Sequence, residues 1–388
     1  MRWRRMDNRA LPDTRDDGAG PVGRLPGPGY TCLMANDARP RPAITVVIPT
    51  MNQAGLLRRA LEALARQTDP AFSVVVVNDG STDDTESVVA GLALPFAVTL
   101  VSTPNGGPAR ARNLGIAVAD DRDEGAGPTV GRWVAFLDDD VVPGVGWIAA
   151  IRAAASDPSA EVLVGKTTST TMATPSVFSH QLTVLAKPPG PFPTCNLAVR
   201  REVFDRCGGF DRRFPHPAYE DTDWSLHVRR AGVDPVFVED MAVDHPPRPS
   251  TLRGHLARVR YQAGAVRLAR KHRWPAVMVG ATDVMQYAGL VGTLVWLDQP
   301  WMWPFLAAWA LGVYVRAASY LMMRAYRPRE AVYALVLPIV TPWYKLLIYA
   351  RTVGMRWVWA PPDTGIGGPM PAGARISRLP AREGAAGA

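Results

Sequence analysis

Residues 133–143, WVAFLDDDVVP, set an unbroken apolar run, Trp133 to Leu137, directly against three consecutive aspartates. Such a run lacks the alternation of a half-exposed strand and predicts a strand covered on both faces. The aspartates mark where the chain leaves the sheet. The same grammar recurs upstream. Ile44-Thr-Val-Val-Ile48 runs into Pro49-Thr50-Met51-Asn52, and Ser73-Val-Val-Val-Val77 runs into Asn78-Asp79-Gly80-Ser81. A further strand is expected near Ala97–Val101. Between them, Gln53–Gln67 carries Leu57, Leu61 and Leu64 at helical spacing, and a second helix is expected over 108–118. Strands alternating with helices predict an α/β fold with a mostly parallel sheet. Ligands of such sheets sit outside the carboxyl ends of the strands, which here all carry polar loops.

The chain has 388 residues, 47% of them hydrophobic, enough for a sizeable core and too many for wholesale disorder. No G-x-G-x-x-G follows the first strand and no G-x-x-x-x-G-K-[ST] occurs, which argues against a dinucleotide oxidoreductase or a P-loop NTPase. Three scattered cysteines exclude a disulfide framework and fit a reducing compartment. Lys and Arg outnumber Asp and Glu by 43 to 35, a net charge of +8. Between Pro246 and Thr282 there is no acid but there are eight Arg and Lys, so this one stretch equals the whole excess. Tyr261 is the lone aromatic among its arginines over 251–273, which speaks against a nucleic-acid groove.

Three aspartates after a buried strand offer hard oxygen ligands for Mg²⁺ or Mn²⁺; the same residues also make a solvated acidic turn. A cation held by two carboxylates completes its shell with phosphate oxygens and water, so a diphosphate suits the site. The second acidic constellation, Glu220-Asp221-Thr222-Asp223-Trp224, opens a helical pattern that stops at Gly232. Acids in a first helical turn are favoured by the helix dipole, and one of them also suits a general base. The spacing alone leaves both readings open.

Seven segments decide more together than singly: VVIPTMNQ (46–53), VVNDGSTDDT (76–85), GGPARARNLGI (106–116), WVAFLDDDVVP (133–143), CNLAVRREVF (195–204), GGFDRRF (208–214) and EDTDWSLHVRRAG (220–232). In this order, from Ile44 to about His245, they resemble glycosyltransferase family 2, inverting nucleotide-sugar-dependent enzymes of the GT-A fold. The resemblance implies that Pro49, Thr50 and Asn52 line the nucleotide pocket, that Asp79 and Gly80 meet the base, and that Arg112 lies near the nucleotide. Asp138 to Asp140 match the DXD-type motif. Asp140 is implied as direct ligand of Mg²⁺ or Mn²⁺, with Asp138 and His245 in the metal set and Asp139 towards the ribose. Asp221 matches the base that deprotonates the acceptor hydroxyl, and Glu220 the residue that orients the acceptor. Asn196, Asp223 and Trp224 are implied acceptor contacts. Gln53 stands where the family often has Glu, a departure that bears on the nucleotide contact.

The chain divides into a disordered tail (1–42), a catalytic domain (43–250), a basic amphipathic helix (251–273), an apolar region (274–360) and a Gly/Pro/Ala-rich disordered tail (361–388). Met34 opens a shorter stretch that offers an alternative start. In the helix, Leu252, Leu256, Val259, Ala263 and Val266 form an apolar stripe with Arg253, Arg260 and Arg267 beside it. Trp274–Trp296 and Trp301–Met323 each reach the roughly 20 residues of a membrane span and predict a hairpin, flanked by basic residues at both outer ends. The positive-inside rule then puts the catalytic domain in the cytoplasm, at the cell membrane. The third segment, Ala331 to about Ala350, is expected at the interface, and Asp283 and Arg316 are expected to pair or to line an acceptor path. The basic helix is expected to seat the domain on anionic lipid.

The function expected from the sequence is metal-dependent, inverting sugar transfer from a nucleotide-sugar donor to a lipid-linked or cell-envelope glycan. The alternatives are a processive polysaccharide synthase, disfavoured by the lack of a downstream Q-x-x-R-W, and a non-catalytic nucleotide-sugar-binding membrane scaffold.

Overall fold

The computed structural model describes residues 43–120, 132–169, 192–214, 216–246, 251–273, 281–297, 299–323, 331–366 and 370–382. The tail expected over 1–42 lies outside the described residues. Along the chain come β1 (Ala43–Thr50), α1 (Ala54–Leu64), β2 (Ser73–Asp79), α2 (Thr85–Gly91), β3 (Val98–Thr103), α3 (Pro108–Asp120), β4 (Arg132–Leu137), β5 (Val142–Pro143) and α4 (Trp147–Ala155). There follow β6 (Val162–Thr168), β7 (Asn196–Arg200), α5 (Arg201–Cys207), α6 (Glu220–Arg230) and β8 (Val236–Asp244). The basic stretch forms α7 (Leu252–Val259) and α8 (Ala263–Lys271), joined by a 3-10 turn over Arg260–Gln262. Last come α9 (Ala281–Val295), α10 (Met302–Met323), α11 (Ala331–Val353), α12 (Arg356–Trp359) and β9 (Arg375–Leu379).

The described strands form one sheet in the order β5-β8-β6-β7-β4-β1-β2-β3-β9. β3, β2, β1 and β4 pair in parallel, as do β6 and β8, while β5, β7 and β9 run against them. This is the α/β, mostly parallel sheet expected from the alternation of apolar strands and helices. Successive residues of one strand feed opposite layers, because side chains alternate across a sheet. Val46, Ile48, Val74 and Val76 pack with Leu57, Leu61 and Leu64 of α1 and with Trp147 and Ile148 of α4. Val47, Val75 and Val77 pack with Ile116 of α3, Phe204 of α5 and Trp224 of α6. Runs buried on both faces are what a two-sided core requires, which is why β1, β2 and β4 read as unbroken apolar stretches.

Two expectations are corrected. The stretch from 361 onward, expected as a disordered tail, contributes β9, whose Arg375–Leu379 pairs antiparallel with Val98–Ser102 of β3 and covers that edge of the sheet. Before it, the Gly209 amide donates to Thr364 (2.8 Å) and the Arg212 amide to Asp363 (2.9 Å), docking this segment onto the GGFD loop. The basic helix, expected to face lipid, turns part of its charge inward. Arg267 is 2% exposed and donates to Asp211 Oδ2 at 2.7 Å, while Lys271 reaches Asp223 at 2.7 Å. The cause is Asp211 itself, 0% exposed: a buried carboxylate needs a counter-charge, and α8 supplies it.

The apolar region is described only in part. Among the described residues no helix is long and apolar enough to cross a membrane. Within the described residues α10 carries Arg316, and α11 contains Pro338 and Pro342. Residues 274–280, 298 and 324–330, in and around the expected hairpin, lie outside the described residues. The expected pairing does occur. Asp283 is ion-paired with Arg316 of α10 and, at 3.1 Å, with Lys345 of α11, tying the three helices together.

Candidate active site

Parallel pairing aims the ends of β1, β2 and β4 at one edge, where the polar loops meet. Thr50, opposite Asn78 in the sheet, donates its hydroxyl to Asp139 Oδ2 at 2.8 Å. Pro49 precedes it, half-buried, opposite Val77. Asn52 adopts a left-handed backbone (φ 55°) and its Oδ1 accepts from the Thr82 amide at 2.7 Å, joining the loops after β1 and β2. Gly80 also has positive φ (77°), and a Cβ there would stand 2.7 Å from the Asn105 nitrogen, so no other residue fits without a shift. Asp79 is buried, and its two oxygens accept from the Gly106 and Gly107 amides, each at 2.8 Å. Its carboxylate holds the loop after β3, a part the sequence did not announce.

The two acidic constellations come together through Arg112. From α3 this buried side chain donates to Asp138 at 2.9 Å and to Glu220 at 2.8 Å. Asp138 and Glu220 lie far apart in sequence, so the guanidinium bridges the loop after β4 to the first turn of α6. Glu220 is 3% exposed; its Oε1 takes the Arg112 bond and its Oε2 has no hydrogen-bond partner. Burial pushes Glu220 up to about 7 against the pull of Arg112. Burial also raises Asp221 above the ordinary carboxylate range, again against Arg112. Asp221 Oδ1 accepts from the Thr222 amide at 2.6 Å, the bond of a first-turn carboxylate.

The turn that delivers these acids is strained. Tyr219, immediately before Glu220, has φ 75°, a left-handed conformation that a bulky residue adopts only under constraint. Its hydroxyl donates to Gln262 Oε1 at 2.7 Å, and Tyr349 of α11 reaches the same oxygen at 3.4 Å. Tyr219, Gln262 and the Asp211–Arg267 pair were missed by sequence reasoning. No local pattern marks a left-handed tyrosine, and Asp211 carried no sign of its distant partner.

His245 directly follows β8, and the register Val142↔Asp244 carries it to the aspartate loop, its Nε2 3.0 Å from Asp140 Oδ2. A carboxylate beside an imidazole nitrogen is a donor set that fits Mn²⁺ or Mg²⁺. The third expected ligand stands apart: Asp138 is turned to Arg112, and among the described residues no group of three His, Cys, Asp or Glu is assembled for a metal. The expected acceptor contacts are not in the cleft. Asn196 is 0% exposed, accepts from Trp147 Nε1 at 2.9 Å and donates to the Lys166 and Met241 carbonyls, bonds that join strands inside the sheet. Asp223 faces away from Asp221 and pairs with Lys271 and His272. Trp224 is buried among Phe192, Phe204 and Phe210. Cys195 and Cys207 have thiols pushed up by burial, unsuited to nucleophilic work.

Residues 45–211 match the family model described as Glycosyl transferase family 2. Validoxylamine A glucosyltransferase of Streptomyces hygroscopicus subsp. jinggangensis is 39% identical over 127 residues, 32% of this chain and 28% of that protein. The chain thus spans little more than a quarter of that relative's length. Glycosyltransferase AglE of Haloferax volcanii is 26% identical over 234 residues, 58% of this chain and 72% of that protein. Among solved structures, the mannosyltransferase PcManGT from Pyrobaculum calidifontis, in complex with GDP-Man and Mn²⁺, aligns over 82% of this chain and 90% of that one, with 21% identity and a TM-score of 0.48.

Proposed function

We propose that the chain, whose residues 45–211 match the Glycosyl transferase family 2 model, is a glycosyltransferase that moves a sugar from a nucleotide-diphospho-sugar to a hydroxyl of a lipid-linked or cell-envelope glycan, with inversion. One observation carries the reading: Arg112 holds the Asp138 loop and the Glu220–Asp221 turn against each other, 2.9 Å and 2.8 Å from its nitrogens. In this reading Asp221 is the base and the Asp138–Asp140 loop meets the departing diphosphate. The acceptor class is inferred from the exposed apolar residues of α9–α11, which fit a membrane surface. The catalytic domain is assigned to the cytoplasmic face.

The loops after β1 and β2, pinned by Thr50 and Asn52, bind the nucleotide and orient the donor. Asp140 and His245 would hold a divalent cation, which supplies Lewis-acid stabilisation of the departing diphosphate. Arg112 stands by as a buried cation that counters charge between the two acidic loops. Asp221 takes the proton of the acceptor hydroxyl as it attacks the anomeric carbon, and Glu220 orients that hydroxyl. A single displacement inverts the configuration without a covalent intermediate, so no activated thiol or serine is required.

The test is a panel of nucleotide sugars offered with a membrane extract as acceptor. Release of nucleotide diphosphate with one donor, abolished by Asp221→Asn, supports the reading. Donor binding without turnover under every condition overturns it in favour of a scaffold.

A further inference from the structure

A cavity of about 380 Å³ lies outside the site described above, between the chain leading into α6 and the C-terminal helices. Its walls include His216, Arg260, Tyr344, Leu347, Ile348 and Arg351, and no acidic side chain lines it. Arg260 comes from the turn between α7 and α8, and Arg351 from the last turn of α11, so two guanidinium groups serve one cavity from separate elements. Arg260 is oriented by a bond from its Nε to the Tyr344 hydroxyl at 2.9 Å, while its terminal nitrogens bond to nothing among the described residues. His216 lies four residues before Glu220 and stacks on Tyr261, 5.3 Å between ring centroids, which fixes this wall to the strand of chain that carries the acids.

The remaining wall is apolar and continues outward. Val336, Val340 and Leu347 recur along α11 at helical spacing, and each is 45% exposed. Val353 and Met355 extend the exposed apolar surface past the cavity. A concave site with an apolar floor and two cations, one of them oriented by Tyr344, fits an anionic head on an apolar tail. Arginine pairs are suited to phosphate, because the guanidinium fork matches its oxygens.

We propose that this cavity seats the phosphate of the lipid-linked acceptor, between Arg260 and Arg351, with the lipid chain laid along the exposed strip of α11. The assignment rests on the acceptor class proposed above and gives that acceptor a place. It also explains why basic charge and apolar surface meet here: the phosphate is held behind the turn of Tyr219, and the glycan reaches forward to Asp221.

The experiment uses the full chain held in dodecyl maltoside and titrated by calorimetry with dodecyl phosphate or with inorganic phosphate. Dodecyl phosphate is expected to saturate one site, and inorganic phosphate to bind at least about tenfold more weakly, since it lacks the apolar contact. Arg260→Gln with Arg351→Gln should weaken dodecyl phosphate at least about tenfold, whereas Arg213→Gln with Arg253→Gln, equally exposed and equal in charge, should change it less than about twofold. Equal losses in both pairs would mean diffuse surface charge and would overturn the proposal. Equal affinity for inorganic phosphate would overturn the lipid assignment. Nucleotide diphosphate release from the donor into water, without lipid, should be unchanged in the Arg260/Arg351 variant. If the unaltered protein releases none from any donor, it is the sugar-transfer reading that fails, and the binding data stand apart from it.

Discussion

The proposed mechanism gives the adjacent carboxylates Asp221 and Glu220 different tasks, and their surroundings differ accordingly. Glu220 is locked to Arg112 at 2.8 Å, so its charge is already engaged inside the fold. Asp221 is only half-buried, and its hydrogen bonds among the described residues run to Thr222 of its own turn, which leaves its second oxygen for a substrate proton. Asp221→Asn should therefore lower kcat by about 10²- to 10⁴-fold, the usual worth of a general base, with donor affinity retained in equilibrium binding. A base must be ionised to act. Because burial raises Asp221, kcat/KM should fall with decreasing pH along a limb centred above the ~3.9 of an ordinary aspartate. The rate should be full above that limb and lost below it, as a pH profile will show. At the other pole, Arg267→Met leaves Asp211 as a buried charge with only Lys271 near it, and about 3–5 kcal/mol of stability should be lost in denaturant titration. The aspartates at 138–140 and the acids at 220–221 were legible in the sequence because strand ends and a first helical turn fix where such residues point. Asn196, Asp223 and Trp224 were not. Their motifs are equally clear, but which way each faces depends on β-strand neighbours and on α8, contacts no local pattern encodes.

At the scale of elements, the apolar runs of β1, β2 and β4 declared themselves because burial on two faces forbids polar alternation. β9 did not. Arg375-Ile-Ser-Arg-Leu379 offers two apolar residues within a Gly- and Pro-rich stretch, and its conformation is supplied by the edge of β3 rather than by its own propensity. An edge strand left open is a template for unwanted pairing, so β9 covers a liability of the sheet. Ile376 stands opposite Val101, and Ile376→Pro removes a donor from a paired strand. The variant should lose roughly 1–3 kcal/mol in denaturant titration and show concentration-dependent light scattering on warming, with donor turnover per folded molecule unchanged. The basic helices make the complementary point. Their apolar stripe and arginine row were visible in the sequence, yet α8 places Arg267 and Lys271 on Asp211 and Asp223. An amphipathic period says which residues share a face; it does not say what that face meets.

Across the whole molecule, the +8 charge excess separates into two jobs. Part of it is internal, neutralising Asp211 and Asp223 and fastening the C-terminal helices to the catalytic domain. The rest, with Arg260 and Arg351 exposed, borders a helical unit whose outer surface is apolar: Val291, Leu294 and Val295 on α9, Trp303, Leu311 and Tyr314 on α10, Val336 and Val340 on α11. Exposed apolar residues in this number fit the membrane partner proposed above. Asp283 points inward to Arg316 and Lys345, which keeps charge off the outer face and leaves that face suited to acyl chains. In the proposed seating on a membrane, basic residues at the border would meet anionic headgroups, each worth about 1 kcal/mol near such a surface. Replacing Val291, Leu294 and Trp303 together by Lys should move the protein from the membrane fraction to the supernatant after high-salt washing. Because all three side chains already face outward, the thermal midpoint should not change. If the triple variant still sediments with membranes, the apolar face is not what binds them, and a second protein chain over α9 and α10 becomes the better account of the surface.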